Sequence, residues 1–546
     1  MFWKTVLSLI VSGFISNAAL ADIASIPYPK TIVAQEGVCL IKSSKVFYNT
    51  EDLSSEAKYL MGALKKAGLS SAMEQGAPQI KEKQSTTPIF LKINKSLTTP
   101  ESYCLTITSQ GIAIEGSDKA GIFYGTVTLL HQIIEAKNAN KDSVECTKIT
   151  DEPRYHWRGF MLDEARHFFG KDKVKQLLDL MSYYKLNKFH WHLTDEQAWR
   201  IEIKKHPLLT SVGGKGSWSN PNETVAQFYT QEDIKEIVRY AADRHIEIIP
   251  EIDMPGHATA ANRAYPKLSG GGTKEHPEFT FNPGKEEVYQ FLTDVLKEIT
   301  TLFPSQYIHL GGDEVSFGIK AWETDPDVQA LMKKEKMTKV RDAEAYFMRR
   351  MAGVVKKLNK TLLGWDELVD LKMGKENAVI MWWRHDRVNQ LKKSLSDGYR
   401  TIMCPRRPLY FDFTQHSSHK WGRVWNGFCP LDDVYNFPDK GMESWNLPED
   451  QLNLLLGIQA NLWTERVHHA KRLEFMIFPR LCALAEAAWS APEVKNYDHF
   501  TKRMENAYTL FDSLNIYYFD NRNPEKTPEP AGANQAKKDV PMDFRD

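Results

Sequence analysis

The chain has no charge of either sign to spare, because 70 basic and 70 acidic side chains cancel to a formal net charge of +0. Without a basic surplus there is nothing to neutralise a phosphate backbone, so nucleic acid is not an expected partner. Cysteine is scarce as well: six residues (39, 104, 146, 404, 429 and 482) are scattered over 546 positions. None forms a CxxC or Cys/His cluster of the kind that holds structural zinc, and the spacing builds no compact disulfide framework. Long apolar runs are missing beyond the first residues, so no stable membrane insertion is expected. No GxGxxG follows a first strand, which argues against a dinucleotide cofactor.

Tryptophan, in contrast, is plentiful, with 14 residues, more than packing alone usually demands. The N-terminus, MFWKTVLSLIVSGFISNAALAD, joins one positive charge at Lys4 to a short apolar run and an Ala19-Leu20-Ala21 cleavage site. Residues 1–21 therefore read as a signal peptide, cleaved after Ala21, and the mature protein as periplasmic or secreted.

Residues 22–152 show short strands and two helical patches, the pattern of a supporting α/β (α+β) domain without a catalytic cluster. From residue 153 to 500 the rhythm changes. Eight strand-length apolar runs alternate with helical stretches, which indicates a parallel sheet covered by helices. Eight such units over this length predict an α/β fold, a (β/α)8 TIM barrel with enlarged loops, rather than an open doubly wound sheet. Residues 501–546 read as a C-terminal helix followed by a Pro-, Lys- and Asp-rich flexible tail.

Catalytic groups of such barrels lie at the carboxyl ends of the strands. Each proposed strand ends in polar residues: Asp163 and Arg166, His192 and Asp195, Asp253 and His257, Asp313 and Glu314. The later strands add Trp365 and Asp366, Trp383 and Arg384, Tyr410 and Asp412, and Trp463 and Glu465. Acids, an arginine and several tryptophans around one mouth suit a neutral polyhydroxylated ligand, since indoles stack on sugar rings while carboxylates and Arg bind hydroxyls. A second possibility is a metal-dependent barrel hydrolase, begun by His190 and His192 in FHWHL. Later strands offer Trp in place of further His ligands, so no metal is assigned. A non-catalytic carbohydrate-binding protein on the same scaffold is a third.

HLGGDE, together with HWHLTDEQAWRIEI, PEIDMPGH, GWDE and NLWTE, resembles glycoside hydrolase family 20, the β-N-acetylhexosaminidases. The motifs fall in that family's order across residues 153 to 490, and DKAGIFYGTVTLLHQI resembles the small domain that precedes its barrel. The resemblance implies an exo-acting retaining enzyme without a cofactor, one of the substrate-assisted exceptions to the two-carboxylate rule. Its substrate would be a glycan or chito-oligosaccharide ending in N-acetylglucosamine or N-acetylgalactosamine. The 2-acetamido oxygen would attack C1 to give an oxazolinium ion.

By the same resemblance Glu314 is the general acid and base, a role that asks for a raised pKa. Asp313 accepts the acetamido N–H and Tyr410 holds the acetamido oxygen. Asp195 and His257 form a dyad beside Glu314. Arg166 and Glu465 bind ring hydroxyls. Trp365, Trp383 and Trp463 wall the pocket, Trp383 being preferred to Trp382 because Arg384 follows it. Asp412 and Trp425 complete the substrate-binding set, although the loop from His416 to Pro438 fits the family pattern only loosely.

Overall fold

The computed structural model of the protein describes residues 23–78, 86–217, 224–424 and 427–532. The expected signal peptide and the end of the tail from residue 533 lie outside the described residues.

Two compact units divide the chain near residue 151. In the N-terminal unit, seven strands are β1 (Thr31–Leu40), β2 (Ser43–Tyr48), β3 (Ser70–Gln75), β4 (Thr87–Ile93), β5 (Tyr103–Thr108), β6 (Gly111–Gly116) and β7 (Ser143–Asp151). They form one mixed sheet in the order β1-β7-β5-β6-β4-β2-β3. Strands β2 and β6 alternate buried and half-buried residues, the pattern of a sheet covered on one face. The helix Lys119–Asn138 is mostly buried, and the Asp118 side chain caps its first turn by accepting from the Gly121 N–H at 2.8 Å.

The second unit holds the barrel. Its strands are β8 (Trp157–Asp163), β9 (Lys188–His192), β10 (Glu247–Glu251), β13 (Tyr307–His309), β14 (Thr361–Trp365), β15 (Ala378–Trp382), β16 (Thr401–Met403) and β17 (Leu455–Leu462). A small pair, β11 (Ser269–Gly271) and β12 (Thr280–Phe281), sits in the loop after β10. The eight barrel strands are all paired in parallel and close as β10-β13-β14-β15-β16-β17-β8-β9. Every residue of β8 and β15 is buried, as strands packed on both faces require.

The helices dock by one apolar face. In Gln231–Ala242 a Thr230/Asp233 capping box starts the helix, and Ile234, Ile237 and Ala241 turn toward the core. After the last helix, Tyr497–Ser513, the described chain continues to residue 532 and makes specific contacts. The Phe519 N–H donates to the Phe478 carbonyl, and Glu529 accepts the backbone N–H groups of Lys420 and Trp421. Composition predicts a tail that is flexible or draped over the surface; these contacts hold its described part against the rest of the unit as far as Glu529.

Candidate active site

The carboxyl ends of the barrel strands open onto a concave cavity lined by acids, arginines and aromatic rings, the mixture expected of a ligand pocket. Asp163, fully buried at the end of β8, organises the first loop. Its Oδ1 accepts the N–H groups of Ala165 and Arg166, and its Oδ2 accepts that of Thr464 beyond β17. This ties two strand ends together and presents Arg166 to the cavity. The Arg166 guanidinium is then held on three sides, by Asp195 Oδ2 at 2.8 Å, Asp163 Oδ2 at 3.4 Å and Gln197 Oε1 at 2.9 Å.

Strand β13 stops at His309, so the acids of HLGGDE are not strand residues. Gly311 and Gly312 take φ values of 67° and 92°, and the space around them explains why no side chain is present. A Cβ at 311 would stand 1.8 Å from Asp253 Oδ1, and one at 312 would stand 2.9 Å from Leu368 Cδ2. The turn they make aims Asp313 and Glu314 by loop geometry, not by the alternation of a strand. Glu314 itself has φ 51° and His257 has φ 52°. Such left-handed non-glycine residues cost roughly 1–3 kcal/mol each and cluster at working sites.

These groups meet at one imidazole. His257 Nδ1 lies 3.0 Å from Asp195 Oδ1, while its Nε2 lies 3.6 Å from both Asp313 Oδ2 and Glu314 Oε2. Burial opposes a charge on His257, but Asp195 and Asp313 outweigh it and raise the pKa well above the usual imidazole value. Burial likewise opposes the Asp195 anion, yet Arg166 and His257 hold it well below the usual carboxylate range. Asp313 is pushed up to about 7, chiefly by burial, against the pull of His257 and with help from the Glu314 charge. Behind it stands Asp253, raised further by burial and by Asp313.

Aromatic walls complete the cavity. Trp365, Trp383, Trp463, Tyr410 and Phe413 all line it. Trp383 and Tyr410 lie nearly parallel, with centroids 6.3 Å apart and planes at 11°. The Trp383 indole N–H donates to Glu367 Oε2 at 3.0 Å, and its backbone N–H reaches Asp366 Oδ2, which also faces Arg384. Its neighbour Trp382 turns the other way, donating to the Arg387 carbonyl and packing on Trp445. The Arg166 guanidinium sits 5.0 Å over the Trp463 ring. Glu465 faces Arg423 at 2.6 Å.

Several acid and histidine groups approach closely enough to surround an ion, notably His190, Glu251 and His309, and Asp253, His257 and Asp313. The first is sealed in the barrel interior, all three members being fully buried.

A model of the family described as "Glycosyl hydrolase family 20, catalytic domain" matches residues 155–492, and one for its domain 2 matches residues 22–152. The chain belongs to glycosyl hydrolase family 20. A beta-hexosaminidase of Porphyromonas gingivalis is 35% identical over 86% of this chain, which spans 61% of that relative's length. A beta-hexosaminidase of Akkermansia muciniphila is 32% identical over 74% of this chain and 82% of its own. Among solved structures, a GH20 exo beta-N-acetylglucosaminidase from Vibrio harveyi, in complex with N-acetylglucosamine, superposes with a TM-score of 0.81. It is 30% identical, covering 94% of this chain and 80% of that one.

Of the family residues predicted from sequence, Arg166, His257, Asp313, Glu314, Trp365, Trp383, Tyr410, Trp463 and Glu465 line the cavity. Asp195 stands one layer behind, holding His257 and Arg166. Asp412 does not line it, and Trp425 lies outside the described residues. Sequence reasoning missed Arg406, Phe413 and Arg423, which do. Phe413 and Arg406 flank the Tyr410 segment and could have been flagged by proximity. Arg423 comes from a loop without periodicity, and no sequence signal marks it.

Proposed function

We propose that this family 20 member is a glycoside hydrolase that removes terminal β-linked N-acetylglucosamine or N-acetylgalactosamine from the non-reducing end of a glycan or chito-oligosaccharide, with retention. One observation supports substrate assistance above all. Asp313 and Glu314 share a single His257 nitrogen at 3.6 Å, so both acids belong to one wall. Glu465, the remaining acid lining the cavity, is engaged by Arg423. A two-carboxylate retaining enzyme needs its nucleophile across the sugar from the acid. Here the substrate's acetamido oxygen fills that role.

In the first step Glu314 gives its proton to the glycosidic oxygen as the C1–O bond breaks and the acetamido oxygen bonds to C1. Asp313 accepts the acetamido N–H and offsets the positive charge of the oxazolinium ring. Tyr410 donates to the acetamido oxygen, and Trp383, stacked on Tyr410, confines the group from the side. Fixing an internal nucleophile in this way is worth up to roughly 7–11 kcal/mol. In the second step the Glu314 carboxylate takes a proton from water as that water opens the ring at C1. Asp195 and His257 keep a positive charge near both acids throughout.

Export to the periplasm or the medium is part of the proposal, supported by the signal-like composition of residues 1–21. No helix among the described residues is long and apolar enough to cross a membrane, and all six cysteines are free thiols, five of them buried. The test of function compares aryl β-glycosides with and without the 2-acetamido group, before and after chelation. Turnover of the acetamido sugar alone, indifferent to chelator, is expected. Equal rates on both sugars would remove substrate assistance, loss on chelation would favour a metal hydrolase, and turnover of neither would leave a binding protein.

A further inference from the structure

The end of the cavity assigned above to the acetamido group carries a cation that the strand-end pattern does not include. Arg406 follows β16, is 5% exposed and lines the cavity. Its main chain reaches both ring residues of that end. The Arg406 N–H donates to the Trp383 carbonyl at 2.8 Å, and the Arg406 carbonyl accepts the Tyr410 N–H at 3.0 Å. This bridge prolongs the parallel pairing of β15 with β16, whose last backbone bond runs from the Cys404 N–H to the Trp382 carbonyl at 2.9 Å. One residue therefore stands between the two segments that deliver the indole and the phenol.

The Arg406 side chain closes the same unit. Its guanidinium carbon lies 5.0 Å from the centre of the Trp383 ring, within reach of a cation–π attraction. Nη2 donates to Asp386 Oδ1 at 2.6 Å, in the turn that follows Trp383. The arginine is thus fastened to the chain at 383 and again at 386, with the indole in contact. On its own edge the indole N–H is fixed by Glu367 Oε2 at 3.0 Å. What the guanidinium adds is a hold on the ring itself, which lies nearly parallel to Tyr410 at 6.3 Å. That spacing decides how long an acyl group the site accepts, since one methylene more or less in a fitted apolar pocket is worth roughly 10- to 200-fold.

Resting on the glycosidase function proposed above, we propose that Arg406 is a positioning residue whose side chain holds Trp383 at its spacing from Tyr410, and so sets the preference for 2-acetamido over longer 2-acylamido sugars. The test measures kcat and KM for aryl β-glycosides of N-acetyl-, N-propanoyl- and N-butanoylglucosamine. The proteins are wild type, Arg406→Met, Arg406→Lys, Asp386→Asn, Trp383→Phe and the double variant Trp383→Phe/Arg406→Met.

Wild type should favour the acetyl substrate. Arg406→Met keeps the length of the side chain and removes its charge; it is expected to lower kcat on that substrate roughly 10- to 100-fold, as a displaced internal nucleophile does, with KM little changed. The longer acyl groups should lose less, so the acetyl-to-butanoyl ratio of kcat/KM should fall roughly 10-fold. A merely structural defect would lower all three rates together and leave the ratio intact. Arg406→Lys, which keeps the charge but not the planar fork, should fall between. Asp386, more than half exposed, should matter less, and Asp386→Asn should move the ratio less than Arg406→Met does. In the Trp383→Phe background, Arg406→Met should add less than it does alone. A wild-type ratio in folded Arg406→Met would overturn the proposal, and so would a full further drop in the double variant, because Arg406 would then act on the substrate without Trp383. Should Arg406→Met not fold, the ratio in Arg406→Lys decides: a fall supports the proposal and a wild-type value overturns it. If wild type turns over none of these glycosides, the proposed activity falls, and dissociation constants of N-acetyl- and N-butanoylglucosamine across the same variants test Arg406 independently.

Discussion

Two histidine–carboxylate clusters lie within one barrel and differ in how closely their acids are engaged and how deeply they are buried. In the lower one Glu251 is shared by three imidazoles, with His190 at 3.0 Å, His192 at 2.5 Å and His309 at 2.8 Å, and it also accepts the Trp365 indole N–H. In the upper one His257 stands 3.6 Å from both Asp313 and Glu314, too far for a hydrogen bond. The first cluster is fully buried and surrounds one carboxylate with three imidazoles and an indole. The second holds its acids next to a cation without consuming them, and catalytic hydrogen bonds of this kind tighten when substrate arrives. His192 links the layers, since its other nitrogen lies 2.8 Å from Asp195. Closed networks build; open ones react.

The largest effect should come from opening the reactive cluster. Glu314→Gln is expected to lower kcat by roughly 10²- to 10⁴-fold on substrates with poor leaving groups, the usual worth of a general acid. Activated aryl groups that leave unaided should suffer far less, so the dependence of rate on leaving-group pKa checks it. Asp313→Asn should instead impair every acetamido substrate alike, and unchanged rates would contradict the division of roles. Next in size is the closed cluster. Glu251→Gln strands buried imidazoles and is expected to destabilise the barrel by about 3–5 kcal/mol, the cost of breaking a buried pair. Calorimetry of the barrel transition should show it, and a midpoint like that of wild type would mean that the network is not structural.

The same contrast explains how much of the molecule was legible in its sequence. Barrel strands could be read because burial on both faces leaves long apolar runs, as in WRGFML and NAVIMWW, and the ring of polar strand ends followed from them. HLGGDE could be read as a motif, but its geometry could not. Sequence places Asp313 and Glu314 on a strand, where neighbours oppose each other; the two left-handed glycines put them on one wall. His190 and His192 could be read as hydrogen-bonded barrel-lining residues, but spacing could not show that Glu251 is the group they share. Arg423 was hidden for a different reason. Its place depends on a backbone bridge to residues 412–414 made by an irregular loop, and irregular loops carry no period.

The smallest expected effect is also the one that separates the clusters by sign. Glu251 is opposed by burial but held well below the usual carboxylate range by its three histidines. A carboxyl depressed on folding contributes stability that is present above its unfolded pKa and lost as pH falls through the folded value. Asp313 has the opposite shift, from 3.8 to about 7, mainly through burial. The folded state therefore binds its proton more tightly than the unfolded chain, and stability declines as pH rises from about 4 to about 7. Removing the charge should reverse that decline. Asp313→Asn should melt near wild type at pH 4, gain over it progressively to about pH 7, and keep a constant margin of a few degrees above. The deficit of Glu251→Gln should instead shrink as the medium is acidified below about pH 4. Parallel melting curves for Asp313→Asn and wild type across the whole range would show that the Asp313 carboxylate is not held in the folded state at a cost, and that the open cluster stores no strain for its substrate to relieve.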